Sequence, residues 1–348
     1  MSSLLQLSPY AERRDKIFVK ELQELTAHHL AGCREYARIW PNWRPSDNVA
    51  SFPFLHVGTF KSIQFKTDAA GVKHQRVLKS SATSSGISSQ ILLDQRSVEL
   101  QAQSSSAIIA SFLGAERRPL VVLDSAGALR AGTEVSARIA AALTLKPLAS
   151  DILFLLKDSA DAKSGKWDQL LRLVEKNDSL LVYGFTYMLW TTWMRSDMPP
   201  EVSRALRGKR IQFVHSGGWK KLENERVRRE EFDKSLTAGL DPDSRVIDFY
   251  GLVEQVGVVY PLCGAGYRHI PVWADAIVRD PWTLEVLESS DGQLQLINLL
   301  AWGAPYHNVL TEDVGRIIPG DCACGRKGKR FEFVGRIPKA EVRGCANV

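Results

Sequence analysis

Between Leu120 and Gly251 the chain repeats one pattern: a short apolar run, then a polar or amphipathic stretch. The runs are LVVLD (120–124), DILFLL (151–156), SLLVYG (179–184), RIQFVH (210–215) and VIDFYG (246–251). The first reads as a buried strand, and the others repeat the strand pattern. The intervening segments at 134–143 and 166–176, and ENERVRREEFDKSL (223–236), predict helices. Such alternation predicts an α/β protein with mainly parallel sheet layers.

The flanks differ. Residues 9–39 predict helix, with Ile17, Leu22, Leu25 and Leu30 at helical spacing, and Pro41, Pro45 and Pro53 punctuate the connector that follows. After residue 257 short apolar runs separated by Gly and Pro predict a β-rich subdomain. The expected organisation is a helical segment (1–50), an α/β core (51–256), the β-rich part (257–334) and a tail (335–348).

Composition narrows the function classes. The chain has 348 residues, 45% hydrophobic and 24% charged, ample for a core of one or two lobes. Its net charge of +6 is scattered, and the densest basic cluster (Arg326, Lys327, Lys329, Arg330) is short. A nucleic-acid binder would show a basic stripe with interleaved aromatics, so the excess fits an anionic substrate instead. Five cysteines with no secretory leader argue against a disulfide scaffold. The most apolar run, Leu180 to Met194, is interrupted by Tyr and Thr and is short for a membrane span. The expectation is a cytoplasmic protein with no membrane and no nucleic-acid partner.

Residues 80–90, SSATSSGISSQ, raise a sharper question. A serine-rich stretch is a linker by composition. This one lies between the apolar-basic RVLK and the strand-like QILLD, and its hydroxyls and Gly86 also suit a loop curled around phosphate oxygens. It lacks the GKS or GKT of a Walker loop. Further along, Tyr250-Gly251-Leu252-Val253-Glu254 ends a predicted strand, where α/β sheets bind ligands. Glu254 there is a candidate Mg²⁺ ligand or a solvated turn residue. In Thr311-Glu312-Asp313-Val314-Gly315-Arg316, Asp313 can accept from two ribose hydroxyls or simply make a turn. Gly335-Arg336 follows the strand-like FEFV.

In this order and spacing, the motifs resemble the adenylate-forming enzyme superfamily. HSGGWKK (215–221), FYGLVEQ (249–255) and GRIPKAEVRGCANV (335–348) resemble the acyl-protein synthetase (LuxE) family and its phenylacetate-CoA ligase-like relatives, over roughly residues 50 to 348. The resemblance implies the large N-terminal lobe of such an enzyme. Ser80, Ser81, Thr83, Ser84, Ser85 and Gly86 would grip the β- and γ-phosphates of ATP. Glu254 would coordinate Mg²⁺ and Tyr250, beside Gly251, would stack on adenine. Asp313 would hold the ribose, Arg336 would approach it, and Ser216, Gly217 and Gly218 would lie beside adenine and the acyl site.

The chain departs from the superfamily pattern. Ala82 stands where a glycine is usual, and Val253 where a hydroxyl residue usually touches the α-phosphate. The chain stops just after Arg336, so the mobile C-terminal lid and its catalytic lysine are expected to be absent.

The cysteines divide. Cys263, His269, Cys322 and Cys324 supply three thiols and an imidazole, a sufficient set for structural zinc, and some phenylacetate-CoA ligase-like relatives carry a similar site. The alternative is free thiols in a β-rich region. Cys345, beside Arg343 and Gly344, matches the C-terminal cysteine to which acyl-protein synthetases pass the acyl group before its reduction to aldehyde; it reads equally as an inert cysteine on a tail. Cys33, His28, His29 and His56 read as packing or surface residues, and Trp190, Trp193, Trp219 and Trp302 as core.

The expected function is ATP-dependent activation of a carboxylic acid, fatty acids included, as its acyl-adenylate. Pyrophosphate leaves, and the acyl group passes to a thiol or an amine. An acyl-carrier protein or a reductase is the expected partner. The rival is a catalytically weakened fold serving as a scaffold subunit, or an acyl transferase, in a biosynthetic complex.

Overall fold

The computed structural model describes residues 3–79, 88–129 and 134–337. In chain order, helices α1 (Asp15–Gly32) and α2 (Arg34–Ile39) precede strand β1 (Leu55–His56) and the short α3 (Thr59–Ser62). A hairpin of β2 (His74–Lys79) and β3 (Gln90–Asp94) leads into α4 (Gln95–Leu113), started by the Asp94 carboxylate, which accepts from Ser97 N at 3.3 Å. Then come β4 (Arg118–Ser125), β5 (Glu134–Ser136), α5 (Ala137–Thr144), β6 (Ala149–Leu156), α6 (Trp167–Lys176) and β7 (Ser179–Phe185). One-turn α7 (Thr186–Met188) continues as a π-helical turn, Leu189–Met194, before α8 (Pro200–Leu206), β8 (Arg210–Ser216), α9 (Arg229–Thr237) and β9 (Arg245–Tyr250). The remainder is strand: β10 (Tyr260–Pro261), β11 (Arg268–His269), β12 (Ala274–Arg279), β13 (Val286–Leu287), β14 (Gly292–Asn298), β15 (Asn308–Ile318) and β16 (Arg330–Arg336).

The predicted α/β architecture is present. Strands β6, β4, β7, β8 and β9 form a parallel sheet with β10 antiparallel at its edge, in the order β10-β9-β8-β7-β4-β6. Strand order reverses at β4, whose neighbours β6 and β7 both come later in sequence; crevices at the C-terminal ends of such strands are ligand sites. A second, mostly antiparallel sheet runs β11-β16-β15-β14-β12-β13 and takes β1 as a parallel partner of β15. The β2–β3 hairpin, with β5 parallel to β2, makes a small third sheet.

One core runs between the parts. Leu120, Tyr183 and Val214 of the parallel sheet share an apolar cluster with Ala276, Leu294 and Phe331 of the antiparallel one. The expected helix over 223–236 is shorter than its polar face suggested. Arg228 is extended (φ −62, ψ 148), and regular helix begins at Arg229, where Glu230 and Glu231 favour the positive end of the helix dipole. No helix among the described residues is long and apolar enough to cross a membrane.

Candidate active site

The end of β8 is the first fixed point. Ser216 closes the strand, and Gly217 turns with φ +75, a left-handed conformation that suits glycine. The Thr186 hydroxyl, at the end of β7, donates to the Gly217 carbonyl at 2.8 Å and lies 3.0 Å from His215 Nδ1. Across the sheet His215 pairs in register with Asp248. Burial holds the His215 imidazole down to about 4, so it is neutral at physiological pH. Burial would raise the Asp248 carboxyl, but Arg268, 2.6 Å from it, pulls it below the usual range. This network rigidifies the Ser216-Gly217-Gly218 turn from beneath.

Three further site residues converge from β9, β15 and β16. Tyr250 closes β9, and its Oη donates to Asp313 Oδ2 at 2.7 Å. Arg336 Nε donates to Asp313 Oδ1 at 3.2 Å, the two residues being register partners across β15 and β16. Asp313 is 4% exposed, and burial raises its carboxyl while Tyr250 and Arg336 lower it. The Tyr250 ring has Phe333 as a tilted neighbour (centroids 5.1 Å) and Tyr260 as another (6.0 Å), with Phe331 edge-on at 5.9 Å. Past Gly251 the chain makes a short turn, Val253–Gln255, and Glu254 is only 4% exposed. Burial raises its carboxyl, against a hydrogen bond from Ser89 next to β3. Val253 packs against an apolar cluster that includes Leu78, Ile91 and Leu93. Gly257 (φ +88) then backs onto α4 so closely that a Cβ would meet Gln101 at 2.6 Å.

A buried carboxylate with a raised proton affinity is short of positive charge. Mg²⁺ would supply it, and Glu254 fits that role; the cation would neutralise phosphate charge at the same place.

The cysteine and histidine set is assembled. Ligand atoms of Cys263, His269, Cys322 and Cys324 all lie within 4.8 Å of one another. Cys263 Sγ and Cys322 Sγ are 3.9 Å apart, and Cys324 Sγ is 3.2 Å from His269 Nε2. Zinc–sulfur bonds of about 2.3 Å in a tetrahedron put sulfurs roughly 3.8 Å apart. The donor set therefore fits zinc in number, chemistry and spacing. The tight turn from Cys322 to Gly325 brings two of the thiols to one centre.

Ser80, Ser81, Thr83, Ser84, Ser85 and Gly86 lie outside the described residues, as do Ala82 and Cys345. In sequence, residues 80–86 fall between β2 and β3, whose last register pair is Lys79 with Gln90. Of the set-aside residues, Cys33, Trp190, Trp193 and Trp219 are buried, and His29 stacks on His307 with ring centroids 4.8 Å apart. Sequence reasoning missed Thr186, Asp248 and Arg268, which act through contacts distant along the chain with no local motif to mark them, and gave Ser89, inside the serine-rich stretch, no role of its own.

This lobe has the fold of the adenylate-forming ligases. It superposes on an open conformation of 2-hydroxyisobutyryl-CoA ligase, solved with 2-HIB-AMP and CoA, with a TM-score of 0.67 and 15% identity over 95% of this chain and 77% of that one. The same ligase in its postadenylation state gives 0.65 and 15%, over 93% and 68%. The chain belongs to the acyl-protein synthetase, LuxE, family, whose profile matches residues 2–348. It is similar to the long-chain-fatty-acid–luciferin-component ligases of Aliivibrio fischeri (26% identical over 143 residues) and Vibrio harveyi (27% over 144). Those matches cover 40% of this chain and only 37% and 36% of the relatives' own length.

Proposed function

We propose that the chain activates a carboxylic acid as its acyl-adenylate. The observation that carries this reading is the meeting of Tyr250, Asp313 and Arg336, with Glu254 buried nearby, at the C-terminal end of β9. A substrate carboxylate oxygen attacks the α-phosphorus of ATP. The new O–P bond forms as the bond to the β-phosphate breaks, and pyrophosphate leaves with the electron pair. Asp313 accepts from the ribose hydroxyls, and Arg336 orients its carboxylate. Ser80, Ser81, Thr83, Ser84, Ser85 and Gly86 hold the departing phosphates, and Glu254 holds Mg²⁺. Ser216, Gly217, Gly218 and Gly251 line the adenine edge, with Tyr250 as the aromatic beneath it. Positioning and charge neutralisation do most of the work in such a reaction.

A thiolate then attacks the acyl carbonyl and AMP leaves. Cys345 is the acceptor within this chain, and a carrier protein's thiol is the acceptor in trans. A reductase fits as the protein that would consume the thioester. Zinc at Cys263, His269, Cys322 and Cys324 is structural, since all four positions are filled by protein.

The packing of Val253 among apolar side chains favours the scaffold reading, because no hydroxyl stands there for the α-phosphate. Carboxylate-dependent ATP–pyrophosphate exchange separates the two. Exchange abolished by Glu254→Gln supports adenylation; ATP binding with no exchange for any acid supports the scaffold.

A further inference from the structure

The thiol–histidine centre and the turn at Gly217 are joined through a buried arginine. Cys263 and His269 flank a tight hairpin, in which Cys263 N donates to the Tyr267 carbonyl and Gly266 N to the Cys263 carbonyl, both at 2.9 Å, while Leu262 bridges Arg268. One arm of this hairpin is β11, two residues long, whose ladder partners are Phe331 and Arg330 of β16. Strand β16 is itself paired with β15 along its length and needs no support from β11. A hairpin this short is marginal by itself. The centre supplies a clamp for it, because Cys263 and His269 lie on the hairpin and Cys322 and Cys324 on the connection from β15 to β16.

Adjacent strand residues leave on opposite faces. His269 turns to the thiols, its Nε2 3.2 Å from Cys324 Sγ. Arg268, buried beside it, turns to the parallel sheet: Nη2 donates to Asp248 Oδ2 at 2.6 Å and Nη1 to the Tyr260 carbonyl at 2.8 Å. Asp248 stands level with His215, which meets the Thr186 hydroxyl that holds the Gly217 carbonyl. The polar path from His269 to Gly217 crosses between the sheets at the Arg268–Asp248 pair. A shift of β11 by about 1 Å would abolish that hydrogen bond. We propose that Arg268 is a positioning residue through which the zinc centre sets the adenine turn, so that zinc occupancy controls affinity for an adenine nucleotide. The inference rests on reading the four ligands as a zinc site and Ser216-Gly217-Gly218 as the adenine edge. It gives the metal a role beyond holding the fold together.

Calorimetric binding of AMP to the full chain, zinc-loaded and metal-free, tests the assignment; AMP carries the adenine and ribose without the β- and γ-phosphates. Far-UV circular dichroism checks that the metal-free chain is folded at the working temperature. Zinc removal is expected to weaken AMP about tenfold, within the usual range for coupling between two sites. By the same linkage, AMP should raise the affinity for zinc by an equal factor, read by competition with a chromophoric chelator. Replacing the pair together, Arg268→Met with Asp248→Asn, leaves no unpaired buried charge. This double variant is expected to bind AMP about tenfold more weakly while still loaded with zinc, so the test stands even where the metal-free chain unfolds. Zinc removal from it should then cost AMP little more, the non-additivity of two changes on one path. AMP affinity indifferent to zinc while Tm falls, or a loaded double variant that binds AMP like wild type, overturns the proposal. A chain that takes up no zinc, or binds no AMP in either state, overturns it as well. Zinc-dependent AMP binding without pyrophosphate exchange for any acid leaves the coupling standing and removes adenylation.

Discussion

The thiol cluster and the Glu254–Asp313 crevice are both built from residues far apart in sequence, yet they are finished to different degrees. Cys263, His269, Cys322 and Cys324 bring four donors within 4.8 Å of one another, and protein alone completes the coordination set. In the crevice two carboxylates are buried and both have raised proton affinities. Among the described residues only Asp313 has a cationic side chain in direct contact, from the largely exposed Arg336, while Lys61 acts on Glu254 from further off. The first arrangement is closed and suits a static role. The second is left electrostatically incomplete, as a site must be if a cation and a nucleotide are to complete it.

That contrast sets the largest expected effects apart. Cys263→Ser, or removal of metal by a strong chelator, is expected to cost about 4 kcal/mol or more, which lowers Tm by roughly 5 °C or more in a chain of this size. Thermal melts with and without added zinc check this, and unchanged melts after verified metal removal would break the comparison. Glu254→Gln is expected to do the opposite. It removes a buried charge, so Tm holds or rises slightly, while pyrophosphate exchange falls about 100-fold or more.

Smaller effects sharpen the crevice. Asp313→Asn keeps the shape but weakens acceptance from the ribose hydroxyls; KM for ATP is expected to rise about tenfold, in line with hydrogen bonds to charged groups. Tyr250→Phe removes one hydrogen bond to Asp313. Its expected cost is about 1 kcal/mol, roughly fivefold in the same KM.

The buried histidines add a pH effect outside both regions. Burial lowers His307 to about 3 and His215 to about 4, and His29 falls well below its ordinary value. Each binds fewer protons when folded than when unfolded, so its contribution is fully present above about pH 6.5. It is lost as pH falls through 6.5 toward about 4 and 3. Urea midpoints at descending pH should drop over that window, and His307→Gln should flatten the drop. Exchange activity should also decline on the acid side as Glu254, whose carboxyl is raised by burial, takes up its proton.

Much of this was legible in the sequence. The five apolar runs from 120 to 251 each became a strand of the parallel sheet, and β4, β7 and β8 are buried almost throughout, which demands continuous apolar side chains. The Cys263, His269, Cys322 and Cys324 set was readable from residue chemistry, although its geometry depends on β11, β16 and the connecting turn folding together. What stayed hidden came from tertiary contact. The Asp248–Arg268 pair, the Thr186 support under Gly217, and Ser89 beside Glu254 each join segments with no shared motif. The start of α9 was misjudged because the polar face of 223–236 runs on across a 3-10 helix that ends at Glu225 and the non-helical residues 226–228.

The most direct test of the central claim is detection of the acyl-adenylate itself. The full chain, incubated with ATP, Mg²⁺ and an acid that supports pyrophosphate exchange and then quenched, should yield the acyl-AMP together with an equal amount of pyrophosphate. Glu254→Gln, equally folded and with the same zinc content, should yield neither. Equal yields from wild type and variant, or AMP released without acyl-adenylate by both, would contradict the account.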